Sequence, residues 1–244
     1  MARIFITGSA DGLGQLAARS LIGQGHEVLL HARDEKRGQD ALAAAPGAIG
    51  VVTADLSSLD ATKRLADDVN QQGTFDAVIH NAAVYQAPGE LIFPVNILAP
   101  YILTGLVNRP ERLIYMSSGM HRGGHVRLET FVGNTSEITY SDSKLYMLML
   151  AKAVARRWPE VYSNAIDPGW VPTKMGGSNA PDDLDEGYET QMWLAVSDEP
   201  GAKVSGRYLR HKREDEHNPE ADDIGAQDRF IELCKEITGV SLPE

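Results

Sequence analysis

Short apolar runs alternate along this chain with longer stretches of helical periodicity. Arg3–Thr7, Glu27–His31, Ile49–Thr53, Phe75–His80, Arg112–Met116, Tyr162–Ile166 and Gly206–Leu209 read as strands. Between them lie helical stretches at Gly14–Gly23, Asp34–Ala45, Asp60–Gln71 and Val95–Asn108, the last stopping before Arg109-Pro110. Two more follow: Tyr140–Arg157, which contains no Gly or Pro, and Tyr188–Val196. Strands separated by helices of this length predict an α/β fold, a doubly wound parallel sheet with helices on both faces. Right-handed crossovers then gather the loops that follow the strands along one sheet edge, where ligands bind. The acidic segments Pro181–Glu186 and Arg213–Asp223 read as solvated loops, and the whole of 1–244 as one domain.

Composition narrows the function. With 43% hydrophobic and 23% charged residues over 244, the chain reads as globular. Its 23 Lys and Arg against 34 Asp and Glu give a net charge of −11, which argues against a nucleic-acid or anionic-membrane surface. Cys234 is the single cysteine, so neither an internal disulfide nor a cysteine metal cluster is expected. His121 and His125, flanking Arg122-Gly123-Gly124, lack further ligands at metal spacing and read as polar loop. No signal peptide, and no run of 18 uninterrupted apolar residues, is visible; a cytoplasmic protein is expected.

Two patterns carry chemistry. Between the first strand and first helix runs Thr7-Gly8-Ser9-Ala10-Asp11-Gly12-Leu13-Gly14. Glycines permit positive φ and close backbone approach, and the following helix N-terminus favours a pyrophosphate, so strand, turn and helix together predict a Rossmann-like dinucleotide site. Tyr140 and Lys144, four residues apart, share one helical face, where an ammonium would favour the phenolate and let Tyr140 exchange a proton near neutral pH. At the end of the second strand, His31-Ala32-Arg33 offers Ala32 where NAD-preferring enzymes place a carboxylate, and Lys36 and Arg37 add positive charge. A guanidinium can grip a 2′-phosphate in two places, so NADP(H) is the predicted cofactor, with NAD(H) as the alternative.

These motifs, in this order, resemble the short-chain dehydrogenase/reductase family along nearly the whole chain. Thr7-Gly8, Gly12 and Gly14 match its cofactor turn, and His80-Asn81-Ala82-Ala83 resembles its Asn-Asn-Ala-Gly segment with His and Ala substituted. Val95-Asn96 matches its central asparagine, Ser117-Ser118 falls where its serine lies, and Asp167-Pro168-Gly169-Trp170-Val171-Pro172-Thr173 resembles the segment flanking nicotinamide. The resemblance implies an alcohol–carbonyl oxidoreductase with Tyr140, Lys144, Ser118 and Asn96 as catalytic residues, Asn96 supporting a proton-relaying water. Cofactor contacts are implied at Gly8, Ser9, Gly12, Leu13, Gly14, Arg33, Asp55, Leu56, Asn81, Tyr140, Lys144, Pro168, Gly169, Val171 and Thr173, and a homodimer or homotetramer by resemblance only.

The 22 residues from Ser118 to Tyr140 imply an inserted loop, Gly119–Thr139, similar to the retinol-dehydrogenase-like branch, as is Gly206-Arg207-Tyr208. The segment from Asn81 to Asn96 is short for that branch. Substrate choice is expected to rest on Tyr85–Leu91, on 119–139 and on 174–187, the last folding over bound cofactor. Apolar Met147–Leu150 predict a catalytic helix buried in the core or against a second subunit, and Trp170 and Trp193 read as packing residues. Two other readings stay open: an NADP(H)-binding sensor or scaffold without turnover, and a sugar-nucleotide epimerase or dehydratase, which can share Tyr-x-x-x-Lys.

Overall fold

A computed structural model describes residues 1–243. In chain order, β1 (Arg3–Ile6), α1 (Gly12–Gly23), β2 (Glu27–Ala32), α2 (Glu35–Ala44), β3 (Gly50–Thr53), α3 (Leu59–Gln71) and β4 (Ala77–His80) build the first half. Then come α4 (Gly89–Ile92), a π-helical stretch (Phe93–Leu98), α5 (Ala99–Leu106), β5 (Arg112–Met116), α6 (Tyr140–Arg157) and β6 (Tyr162–Asp167). The chain closes with α7 (Leu184–Val196), β7 (Tyr208–Arg210), β8 (Arg213–Glu214) and α8 (Ile224–Thr238). Strand order is β3-β2-β1-β4-β5-β6-β7-β8, parallel throughout except for the antiparallel β7–β8 pair. The predicted doubly wound sheet is therefore present. Strand order reverses between β1 and β4, which opens a crevice at the strands' carboxyl ends.

Period-two alternation along the strands sorts side chains between two cores. Phe5, Leu29, Val78, Leu113 and Tyr115 pack with Leu65, Tyr101 and Leu148 on the face covered by α3, α5 and α6. Ile4, Ile6, Leu30, Ile79 and Ile114 pack with Ala17, Leu21 and Leu194 on the face covered by α1 and α7.

Several boundaries differ from expectation. The helix expected from Val95 begins at Gly89 and runs through a π stretch, in which the Ala99 N–H reaches the Pro94 carbonyl. Pro94 and Pro100 supply no N–H to an α ladder, and the wider i→i+5 pattern carries the helix past them. This Gly89–Leu106 unit is long and apolar enough to cross a bilayer, yet most of it is buried inside the fold, as a core helix would be. The expectation of acidic loops at 181–186 and 213–223 misses the α7 start at Leu184, the short β8 and a 3₁₀ turn at Pro219–Asp222.

α8 is absent from the sequence reading. Asp223 caps its start, accepting from the Ala226 N–H, and Gly239 ends it at φ +71°. Its Phe230 ring stacks on Tyr146 of α6 at 5.1 Å between centroids. Met147–Leu150 are buried between the sheet and other elements of the same chain, so their apolarity needs no second copy.

Candidate active site

The glycine turn is held as a backbone shape. Gly8 and Gly12 have φ of +64° and +54°, in the left-handed region that glycine tolerates. A Cβ on Gly8 would lie 2.8 Å from the Ala82 Cα, and one on Gly14 would strike the Asn81 amide. That amide donates to the Thr7 and Gly8 carbonyls at 3.0 and 3.1 Å, while Thr7 Oγ1 accepts the Ala82 N–H at 3.0 Å. Loop and turn are thus sewn together, leaving no room for side chains between them.

A residue that sequence reasoning did not single out completes this turn. The buried His31 accepts the Gly8 N–H at Nδ1 (3.0 Å), and its Nε2 meets the Ala54 carbonyl at 3.1 Å. A carbonyl can only accept, so Nε2 carries the proton. Burial pulls the His31 pKa down to about 4, which keeps the ring neutral. Ser9 is fully buried; its hydroxyl donates to the Ile6 carbonyl and accepts the His31 N–H. Its side chain therefore serves the turn and does not face the groove. The only local signal for His31 was a polar residue at an apolar strand position.

From this turn a groove of about 430 Å³ runs across the sheet edge to Tyr140. Of the residues proposed from the sequence, Gly8, Gly12, Leu13, Arg33, Asp55, Leu56, Asn81, Pro168, Thr173, Tyr140 and Lys144 line it. Ser9, Gly14, Asn96, Ser118, Gly169 and Val171 are not among its lining residues, although Ser118 borders it through Tyr140. Gly169 sits in a left-handed turn whose N–H binds Asp167, and Val171 is buried against Gly187. At the far end the exposed Arg33 is joined by Arg37 and by Lys174, while Lys36 stays outside. Asp11, the cap of α1, pairs with Lys174 at 2.6 Å and with Arg37 at 3.7 Å. Lys174 and Asp11 were absent from the expected contacts because they meet only in three dimensions. Asp55 accepts from the Ser57 N–H and hydroxyl, which hold its carboxyl below the usual range.

At the near end α6 starts at Tyr140 because Thr139 and Asp142 form a capping box. Lys144 is buried, and its Nζ donates to the Met116 carbonyl at 2.8 Å and stands 5.3 Å from the Tyr140 ring centre. Ser118 presents its hydroxyl to the Tyr140 phenol. Ser117 is turned away, donating to the Lys144 carbonyl at 2.8 Å. Of the two serines, Ser118 is the one that meets Tyr140.

The expected electrostatics require correction. Burial pushes the Tyr140 phenol above its usual range, with the Asp167 carboxylate and Tyr85 adding to the rise and the Ser118 hydrogen bond opposing it. Burial also lowers Lys144, to about 7. Desolvation penalises both charged forms, and it outweighs the attraction between them. Tyr140 is therefore held protonated, beside a lysine whose charged form burial disfavours.

Asn96 is held by its neighbours. Its Oδ1 accepts the Val84 N–H at 2.8 Å, and its Nδ2 donates to the Val84 carbonyl and to Ser143 Oγ at 3.0 and 3.1 Å. The side chain is thus spent on tying the loop after β4 to α6. Pro100, lacking an N–H, leaves the Asn96 carbonyl without its α-helical donor.

Around this end lie the expected substrate segments. Tyr85 packs edge-on against Tyr140, with ring centres 4.8 Å apart. The 119–139 loop folds as three 3₁₀ turns, and its His125 N–H and Arg127 guanidinium both bind Asp142. Trp170 is 59% exposed, against its reading as a packing residue, whereas Trp193 packs on Gly201.

Comparison with known proteins agrees with this geometry. The short chain dehydrogenase family model matches residues 2–184. An uncharacterized oxidoreductase from Emericella nidulans is 42% identical over 256 residues, covering 100% of this chain and 99% of its own. Retinol dehydrogenase 14 of Mus musculus is 27% identical over 287 residues, covering 97% of this chain and 86% of its own. A crystal structure of an uncharacterized protein from Mycobacterium Paratuberculosis superposes with a TM-score of 0.84 at 25% identity, covering 100% of this chain and 96% of that one. With a family match over three quarters of its length, on the elements that build the groove, this chain belongs to the short-chain dehydrogenase family and is an oxidoreductase.

Proposed function

We propose that the protein interconverts an alcohol and an aldehyde or ketone using NADP(H), with Tyr140, Ser118 and Lys144 handling the proton. The observation that carries this reading is the meeting of Ser118 and Lys144 on Tyr140 at one end of a groove whose other end holds the glycine turn and three basic residues. The glycine turn leaves space for a pyrophosphate at the start of α1, and Arg33, Arg37 and Lys174 suit an added 2′-phosphate. A bound nicotinamide would supply or accept the hydride.

The remaining chemistry falls to the chain itself. The Ser118 hydroxyl donates a hydrogen bond to the substrate oxygen and steadies the negative charge that develops there. Tyr140, held protonated by burial, gives its proton to that oxygen, because an alkoxide is a stronger base than a phenolate. Lys144, with a pKa of about 7, keeps an exchangeable proton beside the phenol. In the oxidative direction the same groups run in reverse.

The test is consumption of NADPH and of NADH against a panel of aldehydes and ketones, with Tyr140→Phe as the control. Turnover with NADPH preferred and lost in Tyr140→Phe is the expected result. Tight NADPH binding with no turnover of any carbonyl would identify a nucleotide sensor instead.

A further inference from the structure

Ser118 has a tether that the proposed reaction does not use. His121 Nδ1 donates to the Ser118 carbonyl at 2.7 Å, and His121 Nε2 accepts the Asn218 backbone N–H at 3.2 Å. The carbonyl only accepts and the amide only donates, so the tautomer is fixed with the proton on Nδ1. The imidazole has 0% exposure and lies 4.5 Å from the Tyr208 ring, centre to centre. Asn218 adds a second clamp, its Nδ2 donating to the Gly124 carbonyl at 2.9 Å. Gly124 in turn presses on the start of α6, where a Cβ would lie 2.5 Å from the Ser141 carbonyl.

The backbone is thus fixed on both sides of the Ser118 hydroxyl. Before it, Ser117 Oγ binds the Lys144 carbonyl; after it, His121 holds the Ser118 carbonyl against a segment 97 residues further along. Both ring nitrogens are satisfied by backbone atoms, one on Ser118 three residues back and one on a segment 97 residues further along.

We infer that His121 is a positioning residue, whose imidazole aims the Ser118 hydroxyl by holding the Ser118 carbonyl from Nδ1. The inference rests on the role given to Ser118 under the proposed function. Two substitutions separate the two bonds. Asn carries a donor where Nδ1 lies and keeps the hold on Ser118; Gln carries an acceptor where Nε2 lies and keeps only the link to Asn218.

The experiment measures kcat and KM for carbonyl reduction, and NADPH affinity by fluorescence, for His121→Asn and His121→Gln in the wild-type and Ser118→Ala backgrounds. His121→Asn should stay within about 3-fold of wild type, whereas His121→Gln should lower kcat by about 10- to 50-fold with NADPH affinity unchanged, since the loss is one of aim. In Ser118→Ala the effect of His121→Gln should disappear, because both changes act through one hydroxyl. Equal losses in both variants, an undiminished effect in Ser118→Ala, or normal kcat in His121→Gln would overturn the inference. If His121→Gln fails to bind NADPH, His121→Asn decides: normal kcat upholds the inference and lowered kcat rejects it. A wild type that reduces no carbonyl rejects the oxidoreductase mechanism first and this role with it, whereas an active wild type indifferent to His121 rejects this role alone.

Discussion

The two ends of the groove are held in different ways. The glycine end is secured mainly by residues at or just after the ends of β1, β2 and β4, through Thr7, His31 and Asn81, with Lys174 alone reaching Asp11 from far along the chain. Its parts are small, its constraint is backbone shape, and its bonds are mostly to backbone atoms. The serine end is secured by side chains that reach across about 95 residues: Arg122 to Asp215, His121 to Asn218 and His125 to Glu220. A turn of fixed backbone form is written in one short string, while a tertiary clamp is written in separate strings that mean little alone.

The largest predicted effect lies at the serine end, beside Tyr140. Lys144→Met should lower kcat by about 10³-fold or more, on the scale of losing an acid–base group together with its support. The same change should raise stability by about 1–3 kcal/mol, because it removes an amine that burial already disfavours in its charged form. Steady-state kinetics paired with urea unfolding reads both. A variant that loses activity and stability together would mean that the Nζ bond to Met116 outweighs the cost of burying the charge.

Next in size is Gly8→Ala, which tests whether the glycine end is a backbone device. A Cβ would meet the Ala82 backbone at a φ that side chains rarely adopt. Strain and overpacking together should cost about 2–4 kcal/mol and should abolish NADPH binding before the protein unfolds. Calorimetric titration beside a thermal melt checks it. Wild-type affinity in a folded Gly8→Ala protein would break the contrast between the two ends.

Acid should loosen the glycine end in particular. The folded-state pKa values of His31 and His80 are depressed, to about 4 and about 3, from 6.5. As pH falls below 6.5 the unfolded chain takes up protons that the folded chain refuses, so stability is full above that pH and declines beneath it. Each histidine should cost about 2 kcal/mol by pH 5. Protonated His31 would also lose the acceptor that holds the Gly8 N–H, so NADPH affinity should fall as pH nears 4. Replacing His31 with Gln should flatten both slopes; an unchanged slope would remove His31 from the account.

What was legible in the sequence follows the same divide. The sheet, its helices and most groove-lining residues could be read because apolar periodicity, glycine spacing and Tyr140–Lys144 spacing act over a few residues. Lys174 and Asp11 could not, since their pairing spans 163 positions. α8 was missed because acidic neighbours on its N-terminal side masked an apolar face that only α6 makes meaningful. The electrostatic error has the same root: spacing shows that an amine sits near a phenol, but only the packed structure shows that both are buried enough for desolvation to prevail. The partners of Asn96 were not legible either, because a short string cannot show that Val84 and Ser143 occupy its amide.

The smallest predicted effect sharpens the contrast from the serine side. Glu220 accepts the Val126 N–H at 2.8 Å and meets His125 Nδ1 at 3.1 Å, and these bonds, the Val126 N–H first, hold its carboxyl below the usual range. Glu220→Gln keeps an acceptor for Val126 but removes the charge. The contact with His125 is largely solvated, so the loss should be about 0.5–1 kcal/mol. Because Glu220 fastens the loop that bears on Asp142 and the start of α6, the change should reach turnover by a few-fold while leaving NADPH affinity alone. Kinetics beside a binding titration would show it. A weakened NADPH affinity in Glu220→Gln would mean that the long-range clamp reaches the glycine end as well, and that the groove is held as one unit.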